Sequence, residues 1–392
     1  MKRSIRLAAT ALAAAASLAV FVPAHAQAQA QQGATPMLTW VTPTTPTNKP
    51  QTEAQAKAGV EHGRDLPAPE VLQPMLDAQL PSYQPRRDIK ISGTFKGAAS
   101  DVMVVLAQKW MEKFKTYYPD VNISISPPYA GSLGAIELIK GDLDFVFVSR
   151  ELKPDDINKF KAKFNYDPLS VPISGGSYRH FGALDTVAFF VNKDNPIEQI
   201  TFKQLDQMYS STHARGGAAI TKWGDLGLTG EWADKPINLY GIRPWNGFEE
   251  FVRQRVLSLD GKRGEWREGI KFEKLVFPMA KDVAADRYAI GYSGMAYMDA
   301  PVKLVPLVEK AGDIPQAPTY ENVALATYPL SRLTYFNTNK APGKPLPPAL
   351  EEFLKFVLSR EGQQVVLDHA RYVPLRASQV STARALVDGH SN

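Results

Sequence analysis

Three short glycine-containing turns carry hydroxyl or cationic residues at positions where a predicted strand gives way to a helix. Gly131-Ser132 lies in the stretch YAGSLG, and the other two turns span Gly93–Gly97 and Gly241–Phe248. A strand that ends in small residues before a helix directs several backbone N–H groups at one point, which binds an anion without a metal. The sequence therefore predicts a protein that captures an oxyanion.

The first two turns supply donors of hydrogen bonds. Thr94 offers a hydroxyl, Phe95 a backbone N–H group, and Ser132 a hydroxyl beside the N–H groups of its turn. We expect all three to bind the ligand. The alternative is structural, because threonine and serine are also ordinary N-cap residues at the start of a helix.

Two predicted strands end in arginine-bearing segments. Ser149 and Arg150 follow the apolar strand predicted at Leu143–Ser149, and Arg243 follows the strand predicted at Ile237–Ile242. Ligands of open α/β sheets bind at the carboxyl ends of strands, and a guanidinium pairs with two oxygens of an oxyanion at once. We expect Ser149, Arg150 and Arg243 to contact the ligand. The alternatives are that Arg150 forms a surface salt bridge and that Arg243 is an arginine on the surface of its domain.

The segment after Arg243, residues 244–248, contains neither serine nor threonine. Asn246 donates through its amide and Gly247 through its backbone, so both are predicted ligand-binding residues. Trp245 and Phe248 supply apolar surface, either to an organic anion or to the core of their own domain.

The chain of 392 residues begins with a pattern typical of a cleavable signal peptide, residues 1–26. Lys2, Arg3 and Arg6 precede an apolar stretch, and Ala24-His25-Ala26 fits the cleavage site. Removing three basic residues lowers the net charge from +5 to +2, which does not favour nucleic-acid binding. The absence of cysteine excludes disulfides and thiolate metal sites. We expect a periplasmic monomer.

Residues 27–87 are rich in Ala, Gln, Pro and Thr, which predicts a disordered or loosely attached arm. From Asp88 onwards, strands at Asp88–Ser92, Val121–Ser126 and Leu143–Ser149 alternate with helical patterns. Helices are predicted at Phe202–Tyr209 and from Pro348 to Leu358. This alternation predicts an α/β fold.

Between roughly Ile89 and Leu375 the chain resembles the periplasmic phosphate-binding proteins of ABC importers. The pieces that carry the resemblance occur in a specific order: Gly93–Phe95, Gly131-Ser132, Val148–Leu152, Val191–Pro196, Ile220–Gly227, Leu239–Arg243, Ala289–Tyr292, Tyr328–Arg332 and Phe356–Gln363. The resemblance implies two α/β lobes with the ligand in the cleft between them. Lobe one would comprise 88–184 and 318–378, and lobe two 185–317. Many members carry an aspartate where this chain has Arg150, and hydroxyls where it has Trp245–Phe248.

The resemblance implies a solute-binding protein that captures inorganic phosphate or a related oxyanion for the membrane component of an importer. Two other functions stay open: a non-transport binding or interaction protein with an altered or lost ligand site, and a phosphoester hydrolase. The sequence shows no nucleophile–base pair and no metal-ligand spacing such as His-Glu-x-x-His. We therefore expect no catalytic residue, no metal and no cofactor.

Overall fold

The structure is a computed structural model that describes residues 37–38, 76–126, 136–178, 184–244, 246–369 and 371–389. All of these residues belong to one compact unit, Thr35–Asn392. Their strands are β1 (Met37–Leu38), β2 (Gly93–Ala99), β3 (Val121–Ile125), β4 (Phe145–Val148), β5 (Leu169–Gly175), β6 (Val187–Asn192), β7 (Ile200–Thr201), β8 (Asn238–Ile242), β9 (Lys271–Glu273), β10 (Ala289–Gly294), β11 (Val302–Leu304), β12 (Leu307–Val308) and β13 (Leu333–Thr338).

The α-helices of the same residues are α1 (Val104–Lys115), α2 (Ile136–Ile139), α3 (Pro154–Phe164), α4 (Phe202–Tyr209), α5 (Gly247–Val252), α6 (Met279–Ala285), α7 (Tyr320–Ala324), α8 (Pro348–Val357), α9 (Arg360–His369) and α10 (Ala377–Asp388). A π-helical turn, Arg253–Leu257, continues α5. The α/β class expected from the sequence is confirmed.

Two larger sheets organise these elements. The first has the order β3-β2-β4-β13-β5; β2 runs parallel to β3 and β4, whereas β13 runs antiparallel to β4 and β5. The second has the order β1-β11-β6-β10-β8-β9. The first sheet is built from residues 93–175 and 333–338, and β6 to β11 of the second lie between them in the chain, so between β5 and β13 the chain crosses to the second sheet and back.

Each sheet has its own hydrophobic core, and we use the cores to define lobe one (first sheet) and lobe two (second sheet). Val323, Tyr328 and Leu330 pack in the core of lobe two, although the sequence-based division places 318–330 in lobe one. Val380 and Val387 of α10 pack in the core of lobe one, beyond the predicted end at 378. We therefore propose that lobe two extends to about residue 330 and that lobe one includes α10.

The predicted strand Asp88–Ser92 and the turn Gly93–Gly97 are both wrong, because β2 occupies Gly93–Ala99. Its glycines serve close packing inside a sheet. A Cβ atom on Gly97 would lie 2.0 Å from the Phe145 ring of the neighbouring strand. Glycine in this position therefore allows two strands to approach each other closely. In the sequence alone, a glycine needed for close packing cannot be distinguished from a glycine needed for a turn.

Helix α4 coincides with the prediction Phe202–Tyr209, and its start has a local cause. The Thr201 hydroxyl accepts a hydrogen bond from the Gln204 backbone N–H at 3.0 Å, and the Gln204 side chain accepts one from the Thr201 N–H at 2.8 Å. This reciprocal capping box fixes the first turn.

The last part of the predicted arm is folded onto lobe one. Leu80 and Tyr83 are buried in its core, and the Tyr83 hydroxyl donates a hydrogen bond of 2.8 Å to the Glu352 carboxylate. Tyr118 donates to the same carboxylate oxygen at 2.9 Å. The prediction of a loose arm is therefore wrong for residues 76–87, because two buried side chains and a charge-assisted hydrogen bond hold this segment.

In the described ranges, no helix combines the length and the apolar character that crossing a membrane requires.

Tyr83→Phe tests how strongly the docked segment is held. Loss of the hydroxyl removes a buried hydrogen bond to a charged acceptor, so we expect the free energy of unfolding to fall by about 1.5–3 kcal/mol. Urea unfolding followed by circular dichroism measures the change. The control is Tyr166→Phe, which removes an exposed tyrosine bond to Asn339 and should cost under about 0.5 kcal/mol. Equal losses in the two variants would contradict a structural role for the Tyr83 hydroxyl.

Candidate functional site

The carboxyl ends of β2 and β4 meet at one edge of the lobe-one sheet. Ser100 follows β2 and Ser149 follows β4, and the Ser149 backbone N–H donates a hydrogen bond of 3.3 Å to the Ser100 hydroxyl oxygen. No described residue is hydrogen-bonded to the Ser149 hydroxyl. The predicted position of Ser149 at a strand end is therefore correct, and its hydroxyl can still bond a ligand.

Thr94 and Phe95 lie at the opposite end of β2. Thr94 is exposed and Phe95 is half-buried against the lobe-one core. Six residues separate Thr94 from Ser100, which is about 20 Å along an extended strand. The expected turn at Thr94 and Phe95 does not exist, because their backbone groups belong to the parallel ladder with β3.

Ser100 is the residue that the sequence reasoning missed. It lies between β2 and the 3₁₀ turn Asp101–Met103 that leads into α1. A serine followed by an aspartate directly before an apolar helical pattern is a recognised start of a helix. That pattern was available in the sequence and would have placed the end of the strand at Ser100.

Arg150 is nearly buried and already has an acidic partner. Its Nη1 atom lies 3.0 Å from Oδ2 of Asp156, in the first turn of α3. The same carboxylate oxygen accepts a hydrogen bond from the Lys153 backbone N–H at 3.0 Å. The guanidinium charge of Arg150 is thus largely neutralised, which weakens it as a ligand-binding group. The structure therefore agrees with the alternative interpretation of Arg150 as part of an ion pair, although this pair is nearly buried and not exposed.

Lobe two presents Arg243, Asn246 and Gly247. Arg243 follows β8, as predicted; its side chain is exposed, and no described residue accepts a hydrogen bond from it. Asn246 caps α5: its Oδ1 accepts a hydrogen bond of 2.9 Å from the Phe248 N–H, which leaves its amide nitrogen as a donor. Gly247 is exposed, and a Cβ atom there would meet open space.

Ser132 of the second turn and Trp245 lie outside the described residues. The role predicted for Ser132 therefore stays a prediction. Phe248 is described: its ring packs edge-on against Tyr297, with the ring centroids 5.9 Å apart. Phe248 therefore packs within its own lobe, in agreement with the alternative interpretation of this aromatic residue.

Glu249 is fully buried and is not the surface acid that its place near the start of a helix suggests. Its carboxylate accepts hydrogen bonds from Arg253 Nε at 2.7 Å and from Trp266 Nε1 at 2.6 Å. The Trp266 ring in turn stacks on Tyr292 with an interplanar angle of 8°. This paired and packed charge fixes the orientation of α5, and with it Asn246 and Gly247.

Arg332 connects the two halves of the site. It precedes β13, whose Tyr335 pairs with Val148 of β4, so antiparallel pairing brings Arg332 to the edge where Ser149 lies. The Arg332 guanidinium lies over two α5 rings, 5.7 Å from the Phe248 centroid and 4.8 Å from that of Phe251. The start of α5 in lobe two is therefore close to the carboxyl end of β4 in lobe one.

A second contact joins the same two segments. The Lys153 ammonium, at the start of α3, lies 4.0 Å from Oε1 of Glu250 on α5. Arg263 also pairs with Glu250, through two hydrogen bonds of 2.9 and 2.7 Å. Burial raises the pKa of Glu250, but the hydrogen bonds from Arg263 and the charge of Lys153 outweigh it and hold the pKa below its usual value. Glu250 therefore stays ionised where the lobes meet.

Asp185 and Arg332 carry charges buried at the crossing between the lobes. Burial raises the pKa of Asp185 to about 7, although a hydrogen bond from the Ala296 N–H and the charge of Arg332 oppose the rise. Burial likewise lowers the pKa of Arg332 to about 10. A Cβ atom on Gly294 would lie 2.1 Å from Asp185 Oδ2, so only glycine fits beside this carboxylate.

The described residues contain no cluster of histidine, aspartate and glutamate side chains suited to hold a metal ion. The site as described therefore offers hydroxyl, amide and guanidinium groups, which are the groups that bind an oxyanion.

Comparison with known proteins supports this interpretation. A family model described as a PBP superfamily domain matches residues 85–361. The phosphate-binding protein PstS of Pseudomonas aeruginosa is 37% identical over 310 residues, which cover 79% of this chain and 90% of that protein. The protein of the same name from Staphylococcus aureus is 28% identical over 309 residues, covering 76% and 84%.

The crystal structure of PstS from Borrelia burgdorferi has the same fold, with a TM-score of 0.51 and 14% identity over 73% of this chain and all of that one. Two lobes with a site between them define the periplasmic-binding-protein class. Within that class, the chain belongs to the phosphate-binding protein family. It is a solute-binding protein and not an enzyme, and the family resemblance found in the sequence is confirmed.

Asp185→Asn tests the buried carboxyl at the crossing. Because the folded-state pKa of about 7 exceeds the ordinary value of 3.8, the folded protein holds a proton between these pH values that the unfolded chain has lost. This group therefore makes the wild type less stable as the pH rises from about 4 to about 7. Asparagine does not titrate, so the stability of the variant relative to wild type should improve between pH 5 and pH 8.

Urea unfolding at the two pH values measures the difference. Asp234→Asn, at a carboxyl that is 93% exposed, is the control and should show little change with pH. An Asp185→Asn difference that is the same at pH 5 and pH 8 would contradict the raised pKa.

Proposed function

We propose that the protein captures phosphate, or a closely similar oxyanion, in the cleft between its lobes. The observation that carries the proposal is the convergence of two donor-bearing segments, one from each lobe. Ser149 lies at the end of β4 and Asn246 at the start of α5, and the Lys153–Glu250 contact joins the regions that follow them. The family of the chain and the PstS name of its relatives support phosphate as the ligand.

The donors suit an oxyanion because they differ in kind. Ser149 supplies a hydroxyl that is hydrogen-bonded to none of the described residues, and Asn246 supplies an amide nitrogen that its capping bond leaves unused. Arg243 supplies a guanidinium without an ion-pair partner in the described part of the chain. Closure of the lobes would bring Arg243 to the ligand by a hinge motion at the two crossings.

We further propose that residues 1–26 direct export, that the mature protein works as a monomer in the periplasm, and that it delivers its ligand to the membrane component of an ABC importer. The family of the chain supports this role. Co-purification of the mature protein with that component would test the partnership. We expect the co-purification to be lost when a cross-link closes the cleft.

Isothermal titration calorimetry of the mature chain with phosphate and sulfate tests the function, and Arg243→Ala tests the lobe-two contact. A lost hydrogen bond from a charged group costs about 1.5–3 kcal/mol, so the affinity for phosphate should fall roughly 10- to 100-fold. The control is Arg287→Ala, at an exposed arginine of lobe two that pairs with Glu231. If the wild type shows no heat with either anion, the non-transport alternative replaces this proposal.

The corrected position of β2 gives a second test, Ser149→Ala against Thr94→Ala. Because Thr94 lies about 20 Å from the end of the strand, its loss should leave phosphate affinity within about twofold of wild type. Loss of the Ser149 hydroxyl should weaken binding roughly tenfold or more. Calorimetry measures the phosphate affinity of both variants. A larger loss of affinity in Thr94→Ala than in Ser149→Ala would indicate that the ligand binds at the amino end of β2 and would contradict the proposed site.

A further inference from the structure

Arg332 is a buried charged side chain at the meeting point of the lobes, and none of the described residues forms an ion pair with it. It is 9% exposed, its Nε atom is buried without a hydrogen-bond partner, and no described residue accepts a hydrogen bond from its guanidinium. Its nearest aromatic neighbours, Phe248 and Phe251, offer ring faces and no lone pairs suited to a strong hydrogen bond.

Other arginines near this junction differ from Arg332 because they form ion pairs. Three of them have carboxylate partners: Arg150 with Asp156, Arg253 with Glu249, and Arg255 with Glu309. Asp185 and Glu151 favour the charged form of Arg332 from a distance, but neither forms an ion pair with it within 4.0 Å. A buried charge is costly unless it is paired, so the fold keeps a charge here that it does not itself compensate.

The place of Arg332 in the fold indicates what compensates it. The pairing of Tyr335 with Val148 puts the amino end of β13 beside the carboxyl end of β4, next to the Ser149 hydroxyl. The Arg332 backbone carbonyl accepts a hydrogen bond of 2.6 Å from the Gly176 N–H, which holds the residue where the chain first leaves lobe one. The guanidinium thus lies between the segments that carry the proposed donors.

We propose that Arg332 is a ligand-binding residue, and that the oxyanion bound in the cleft is the counterion of its buried guanidinium. This inference rests on the proposed function and adds a binding group that sequence reasoning did not select. The planar fork of Nε and a terminal nitrogen suits two oxygens of one tetrahedral anion. The ring faces of Phe248 and Phe251 keep the fork in place and exclude water from its buried side.

Four proteins test the assignment: wild type, Arg332→Gln, Arg332→Lys and the control Arg255→Gln. The control removes the same charge from an arginine that already has Glu309 and the Pro329 carbonyl as partners. Calorimetry with phosphate should show a roughly 10- to 100-fold loss for Arg332→Gln, a smaller loss for Arg332→Lys, and a change within about twofold for Arg255→Gln.

Thermal unfolding without phosphate, at pH 6, separates binding from a structural role. At that pH Asp185, with its pKa of about 7, is mainly neutral and loses little when Arg332 is replaced. Removing an unpaired buried charge should leave the melting temperature of Arg332→Gln unchanged or higher, whereas the rise caused by phosphate in the wild type should shrink. A lower melting temperature with unchanged phosphate affinity would overturn the inference and leave the proposed function standing.

A measurement on the wild type guards against a variant that does not fold. In ¹H–¹⁵N spectra of the arginine Nε–H groups, phosphate should shift one resonance that is absent from the Arg332→Lys protein. If phosphate binds but moves no such resonance, Arg332 is not a ligand-binding residue. If the wild type binds neither phosphate nor sulfate, the proposed function is itself wrong and this inference falls with it.

Discussion

The pairing of β13 with both β4 and β5 is the constraint on which the rest of the molecule depends. This strand returns from lobe two and enters the middle of the lobe-one sheet, antiparallel to both neighbours. The Thr334 and Ser174 hydroxyls lie 2.7 Å apart across one of these pairs, and the Arg332 carbonyl accepts a hydrogen bond from Gly176. The segments that connect the two sheets after β5 and before β13 are thereby bound side by side.

The protein contains two kinds of buried charge. One kind is hydrogen-bonded and has a structural role; the other has unpartnered polar atoms and lies beside the proposed binding site. Glu249 and Arg253 are buried together with full hydrogen bonding, which stabilises the position of α5. Asp185 and Arg332 are buried at the crossing with unpartnered polar atoms, which costs stability. A fold retains such a cost where the charge has another use, and the oxyanion that we propose to bind at the crossing would provide one.

Local patterns predicted the elements whose causes are local. The capping box of α4 and the apolar run of β4 depend on adjacent residues, and both were located within two residues of their observed bounds. The ends of β2 depend instead on the Phe145 ring of another strand, and the folding of Tyr83 onto lobe one depends on Glu352, 269 positions away. Arg332 escaped notice for the same reason, because its burial and lack of a partner are properties of the assembled junction.

Arg150 shows why the source of positive charge in the cleft matters for recognition. Many members of the family that the chain resembles carry an aspartate at this position and others an arginine; here Arg150 pairs with Asp156 at 3.0 Å. Because an ion pair already satisfied within the protein gains little from a ligand, Arg150 is a weaker candidate for anion binding than its sequence position suggests. Arg332 lies at the junction between the lobes, and no described residue forms an ion pair with it. If Arg332 binds the oxyanion as proposed, the unpaired positive charge of the site lies on the strand that crosses between the lobes and not at the end of β4.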